Sequence, residues 1–226
     1  MAERFESLTA VAAPYEPINV DTDQILPGRF LKMPRTEGSG YGQFLFHDLR
    51  QRPDGTEDPS FVLNQPAYRA ARIFVANANF ACGSSREGAA YAFSDYGIRS
   101  VIAPSFSDIF FNNCLRNGIV PVRLPDPECA RLRALLRERP GAPLTVDLRQ
   151  LHVQDPDGRR HPFEIDDFFR QMMIDGIDEI ELTRRMMDDI VAFEQAYHQR
   201  WPWAAPAGPS GARPSPVIGP SGDTAR

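Results

Sequence analysis

Cysteine is scarce in this chain: three in 226 residues, Cys82, Cys114 and Cys129. An odd and low number gives no disulfide framework. Separations of 32 and 15 positions are unlike the close-spaced pairs of zinc or iron–sulfur ligands. The four histidines (His47, His152, His161, His198) are scattered as well, with no i, i+4 pair, so no self-contained metal site is expected. No apolar run approaches the ~18 residues of a membrane-spanning helix. Met1 to Glu6 has no basic segment leading into an apolar one, so no secretory signal is expected. Positive charge is in slight deficit, 25 Lys+Arg against 30 Asp+Glu for a net −5, which argues against bulk nucleic-acid binding. These absences point to a soluble, cytoplasmic chain.

What is present is ordinary globular material. Hydrophobic residues at 42% and charged residues at 24% support a substantial core. The segment from Pro202 to Arg226 differs, with six prolines and four glycines among Ser and Ala. Such a composition buries too little apolar surface to offset its ordering entropy and predicts a disordered tail over 202–226. The functional body is therefore 1–201.

The clearest architecture lies between Arg72 and Leu124. Ile73 to Ala76 is an apolar run of strand length. After a Gly/Ser turn, Ala89, Ala90, Ala92, Phe93 and Tyr96 form a helical stripe over 85–96, with Gly97 as its stop. Ser100 to Ala103 is the next strand. Ser107 caps a second helix in which Phe106 and Phe111 form a hydrophobic staple and Gly118 ends the run. Ile119 to Val122 resumes as a strand. This alternation predicts a βαβαβ unit with a parallel sheet. Leu8 to Ala13 reads as a further strand, and 18–42 as a long loop. Leu144 to Leu148 and Leu151 to Val153 read as two more strands, with a turn at Asp157-Gly158. Ile165, Phe168, Phe169 and Met172 mark one amphipathic helix; Leu182, Met186, Ile190, Phe193 and Tyr197 mark another. Both stripes are expected to face the core.

The turn after the first strand of the unit reads Asn79-Phe80-Ala81-Cys82-Gly83-Ser84-Ser85-Arg86-Glu87. In open α/β sheets ligands gather at the carboxyl ends of the strands, where helix N-termini present free N–H groups. Ser84-x-x-Glu87 fits a capping box, Gly83 permits close backbone approach, and Arg86 can grip a carboxylate through two parallel hydrogen bonds. An Arg in a first helical turn opposes the helix dipole, an arrangement that makes sense where an anion completes the site. Cys82 has no histidine near it in sequence and reads as a small buried hydrophobe. Asp21-Thr22-Asp23 suits a turn, with a hard cation as the other reading.

Three segments in register carry a resemblance: Asn19-Val20-Asp21-Thr22-Asp23-Gln24-Ile25-Leu26-Pro27, the Asn79 to Glu87 turn, and Ile102-Ala103-Pro104-Ser105-Phe106-Ser107-Asp108-Ile109-Phe110. Together they resemble the small-subunit family of bacterial 3-isopropylmalate dehydratase, itself similar to the swivelling C-terminal domain of aconitase. The resemblance implies an α/β fold, a three-layer β/β/α swivelling domain containing the parallel βαβαβ unit. It implies that this chain binds no cofactor and that a large-subunit partner holds a [4Fe–4S] cluster on its own cysteines. It implies a hydro-lyase acting on 2-isopropylmalate in leucine biosynthesis, with Ser84 as catalytic base, Ser85 as an orienting hydroxyl and Arg86 as the carboxylate clamp. Arg29, Phe30, Leu31 and Met33 fall in the region that recognises the substrate's side chain.

The family motif continues from Ser-Arg-Glu with His, whereas Gly88 stands here. Gly inside a helix costs ~1 kcal/mol relative to Ala, so close packing at this position is expected. The departure also opens a second substrate reading, another malate of the citramalate, dimethylmalate or homoaconitate type. A reading from a different class is a stand-alone anion-binding module.

Overall fold

The computed structural model describes residues 4–35, 40–83 and 86–206. It divides into two compact units, residues 1–178 and 179–226.

In the first unit seven strands form one curled sheet: β1 (Ser7–Pro14), β2 (Ile73–Val75), β3 (Ser100–Ala103), β4 (Val120–Arg123), β5 (Pro143–Asp147), β6 (His152–Gln154) and β7 (Arg160–Pro162). Their spatial order is β4-β3-β2-β1-β5-β6-β7. Strands β1 to β4 are parallel, with Ala13 opposite Phe74 and Phe74 opposite Val101. β5, β6 and β7 continue from β1 as an antiparallel arm. β1 is therefore the seam between the two halves, and the βαβαβ unit stands as the sequence predicts it.

Both faces of the parallel half are buried, as expected of a parallel sheet. On one face Ala13, Phe74, Val101 and Ala103 meet α3 (Gly88–Tyr96), α4 (Asp108–Arg116) and the 20–71 region. On the other, Ala12, Ile73, Val75, Ile102, Val120 and Val122 meet α5 (Asp126–Glu138), β5, β6 and Met173 of α6 (Asp167–Asp175). Phe106 and Phe111 pack edge to face at 5.8 Å across the start of α4, which is the staple expected there. Gly97 at φ 101° ends α3 in the left-handed region, where glycine carries no Cβ penalty.

Several expectations are corrected. The 18–42 segment is not a plain loop. It holds α1 (Thr22–Ile25), which Asp21 and Gln24 start with a capping box, then a 3-10 turn at Gly28–Lys32 and another beginning at Gly40. A second one-turn helix, α2 (His47–Arg50), follows. α3 begins at Gly88 rather than at Ser85, with Glu87 as N-cap and no side-chain cap bond from Glu87; the Ser84 half of the expected capping box lies outside the described residues. The Glu87 carboxylate instead accepts from Asn117 Nδ2 at 2.9 Å. Helix α5 and strand β7 have no counterpart among the sequence expectations.

The second unit consists of α7 (Glu179–Arg185), α8 (Met187–Arg200) and a 3-10 turn at Pro202–Ala204. Neither helix buries a residue, and Phe193 is 66% exposed. Of the Met and aromatic stripe expected to face a core, Met186, Phe193 and Tyr197 are exposed and Leu182 and Ile190 half-buried, because a helical period reports one apolar face and not what covers it. Of the expected tail, residues 207–226 lie outside the described residues.

Candidate active site

The three motif segments meet at the carboxyl ends of β1, β2 and β3, and backbone hydrogen bonds stitch them together. Asn19 N donates to Ala78 O at 3.0 Å, Cys82 N to Val20 O at 2.9 Å and Thr22 N to Cys82 O at 3.0 Å. On the other side Phe80 N donates to Ser105 O, and Ser107 N to Phe80 O. Phe80 anchors the junction from below, its ring 5.8 to 5.9 Å from those of Phe74, Phe93 and Phe110.

The turn itself runs through left-handed backbone at Asn79 (φ 54°), Ala81 (φ 57°) and Gly83 (φ 97°). At Gly83 a Cβ would also overlap the Asp21 carboxylate, so glycine is required there on both counts. Asp21 spends its own Oδ1 on Asp23 N at 2.5 Å; the turn-making reading of Asp21-Thr22-Asp23 is the observed one.

Arg86 lies ahead of α3, not in its first turn. Its guanidinium meets the Asp23 carboxylate at 2.7 Å, half-buried against a more exposed partner. The anion expected beside Arg86 is thus supplied in this state by the chain itself, 63 positions away. That pairing has no local signal in the sequence. Ser84 and Ser85 lie outside the described residues.

Beside this junction Asn19, Asp21, Asp23, Gln24, Asp48 and Leu49 line an open depression of ≈ 420 Å³. Arg29, on the Gly28–Lys32 turn, forks onto Asp48, which also accepts from His47 Nδ1 at 3.0 Å. Hydrogen bonds from Arg29, then His47, hold the Asp48 carboxyl down to about 2 despite partial burial. Phe30 stacks on Phe44 with centroids 4.1 Å apart. Leu31 packs onto Gly88, where an added Cβ would lie 2.5 Å from Leu31 Cδ2 and 2.9 Å from Leu26 Cδ2. Close packing at Gly88 is therefore real, although as the first residue of α3 it escapes the cost of a helix interior. Met33 is 48% exposed, and its carbonyl accepts from Tyr41 Oη at 3.1 Å.

The thiols do not converge. Cys114 lies in the core on one face of the sheet and Cys129 in the core on the other, while Cys82 is in the turn. Among the described residues no group of three or more His, Cys, Asp or Glu is arranged to hold a metal ion.

Known proteins match this chain along nearly its whole described length. The family model for the aconitase C-terminal domain matches residues 2–127, and one described as LeuD_N matches 130–167. The model for the C-terminal domain of the 3-isopropylmalate dehydratase small subunit matches 179–207. A 3-isopropylmalate dehydratase small subunit of Paramagnetospirillum magneticum is 49% identical over 201 residues, covering 89% of this chain and 99% of the relative. One of Rhodospirillum centenum is 50% identical, covering 89% and 98%, and one of Brevibacillus brevis 47% identical, covering 82% and 95%. Among solved structures, a 3-isopropylmalate dehydratase from Methanocaldococcus jannaschii superposes with a TM-score of 0.59 at 24% identity, over 82% of this chain and 99% of that one, which establishes the shared fold.

Proposed function

The chain belongs to the 3-isopropylmalate dehydratase small-subunit family of hydro-lyases, and on that basis we propose that it completes a two-subunit enzyme converting 2-isopropylmalate to 3-isopropylmalate in leucine biosynthesis. The observation that carries the reading is Arg86, fixed by Asp23 where the three motif segments meet. The partner is a large dehydratase subunit. Because this chain's thiols do not fit a cluster, the [4Fe–4S] centre is assigned to that partner, where it supplies Lewis-acid chemistry. The setting is the cytoplasm; among the described residues no helix is long and apolar enough to cross a membrane.

In the dehydration the C–H bond next to one carboxylate breaks, its electron pair forms the C=C bond, and the hydroxyl leaves from the neighbouring carbon. Rehydration returns the hydroxyl and the proton with their positions exchanged. Ser84 is assigned the proton transfer and Ser85 an orienting hydroxyl, on their places in the motif. A serine oxygen acts as a base only where its developing charge is stabilised. The arrangement around the turn supports this: Glu87, the N-cap of α3, makes no side-chain cap bond, and the cationic Arg86 stands two residues before the helix. Arg86 exchanges the Asp23 carboxylate for that of the substrate and clamps it at two points.

Gly88 favours a second substrate reading, another substituted malate of the citramalate, dimethylmalate or homoaconitate type. The test is co-purification with the large subunit, followed by a substrate panel. Turnover of 2-isopropylmalate above the other acids, abolished by Ser84→Ala in an intact complex, is expected. A faster rate on citramalate or a homologue selects the second reading, and wild-type rates from Ser84→Ala remove Ser84 as the base.

A further inference from the structure

The Gly28–Lys32 turn touches the candidate clamp at one end and the start of α3 at the other. At Gly28 an added Cβ would lie 2.7 Å from Arg86 Nη1 and 3.4 Å from Asp23 Oδ1, so the turn's first residue forms the floor under the Arg86–Asp23 pair. Three residues on, Leu31 fills the space over Gly88. The turn is held from outside as well. Arg29 is tied to Asp48, Phe30 is stacked on Phe44, and Tyr41 Oη donates to the Met33 carbonyl.

We propose that Gly88 and Leu31 are a positioning pair for Arg86, acting through the Gly28–Lys32 turn. A methyl group at 88 has two neighbours, and only one can yield. Leu26 is 3% exposed and locked in the core, whereas Leu31 is half-buried. The displaced Leu31 carries the turn outward, and Gly28 leaves the underside of the guanidinium. The residue at 88 thereby sets how firmly Arg86 is held. In this chain glycine at 88 and leucine at 31 are complementary volumes, and neither is free to change alone.

This inference rests on the reading of Arg86 as the carboxylate clamp, and the test separates the two. In the co-purified two-subunit enzyme, Gly88→Ala is expected to raise KM about tenfold with kcat within about twofold, because a loosened clamp weakens ground-state and transition-state binding alike. In a Leu31→Ala background, which removes the colliding atoms, adding Gly88→Ala is expected to change KM by less than about threefold relative to Leu31→Ala alone. A merely damaged fold would lower the active fraction and kcat instead. An unchanged KM in Gly88→Ala, or the same tenfold effect of Gly88→Ala in the Leu31→Ala background, overturns the proposal. Should the wild-type pair turn over no substituted malate, the functional reading fails. The thermal midpoints of the full-length single and double variants then decide the pair: additive shifts overturn it, and coupled shifts sustain it.

Discussion

Asn79 Nδ2 donates to Asn19 Oδ1 at 2.9 Å, and both residues hold left-handed backbone at φ 54°. Two loops that bend the wrong way for most L-residues are thus joined through the residue type that tolerates the bend best. The pair closes the junction of the first two motif segments just upstream of the Gly83 turn. Asn79→Ala should cost ~1–2 kcal/mol, combining left-handed strain with one lost hydrogen bond. Asn79→Gly, relieved of the strain, should cost less. Urea denaturation of the two variants measures the difference, and equal costs would remove the strain component.

Arg86→Lys should lower kcat/KM by at least about tenfold, chiefly through KM. An ammonium keeps the charge but loses the planar two-point grip on a carboxylate. Steady-state kinetics of the co-purified enzyme check this, and wild-type KM would rule out a bidentate clamp.

A buried ionic network away from the site should matter more to stability than the surface pairs do. The His161 ring is 2% exposed, with Nδ1 2.7 Å from Glu128 and Nε2 3.4 Å from Asp155. Arg131 also bonds Asp155, and Arg159 reaches Glu128 at 2.6 Å. Burial pushes the Asp155 carboxyl up, but the Arg159 N–H, His161 and the Arg131 charge together hold it below the usual range. His161→Leu removes one partner from each carboxylate, leaving Arg131 on Asp155 and Arg159 on Glu128, and should destabilise the fold by ~1–3 kcal/mol. Arg149→Ala, which breaks the exposed pair with Glu6, should change stability by no more than ~0.5 kcal/mol. Thermal or denaturant unfolding ranks the two.

Tyr15 predicts an alkaline limit. It packs against Phe46, Phe61 and Phe74 at 5.2 to 5.8 Å, and burial pushes its hydroxyl up to about 12 from an ordinary 10.0. Between those values the unfolded chain loses a proton that the folded chain keeps. Stability is therefore intact below pH 10 and falls as pH rises toward 12, by at most ~1.4 kcal/mol per pH unit for this one group. Tyr15→Phe should flatten the unfolding profile over that interval, and an unaltered slope would show that Tyr15 does not set it.

The parallel unit is legible because short apolar runs such as Ile73–Val75 alternate with helical stripes that Gly97 and Gly118 end, which leaves few alternatives. β7 is not, since Arg160-His161-Pro162 has no alternation and pairs only because the arm preceding it is already in place. Helix α5 carries a readable stripe at Cys129, Leu132, Leu135 and Leu136, interleaved with arginines that mask it in a linear scan. At the site the sequence marks Arg86, and family likeness marks the serines and the 29–33 region. Asp23 reads locally as a turn-maker and nothing more, because a partner 63 positions away is fixed by the approach of two strand ends, not by local spacing. Gly88 signals close packing, but which side chain it makes room for is a tertiary fact.

The division of the core by the sheet has a practical consequence. Cys114 is sealed on one face, where burial raises its thiol well above the ordinary range, and Cys129 is sealed on the other, pushed up to about 12. Neither reacts as a thiolate until its own face opens. The chain thus carries two internal clocks: timed labelling with a thiol reagent, resolved by peptide, would report the opening free energy of each face separately. Equal rates at the two positions would mean that the sheet gives way as one cooperative body, and unequal rates would identify the face that loosens first.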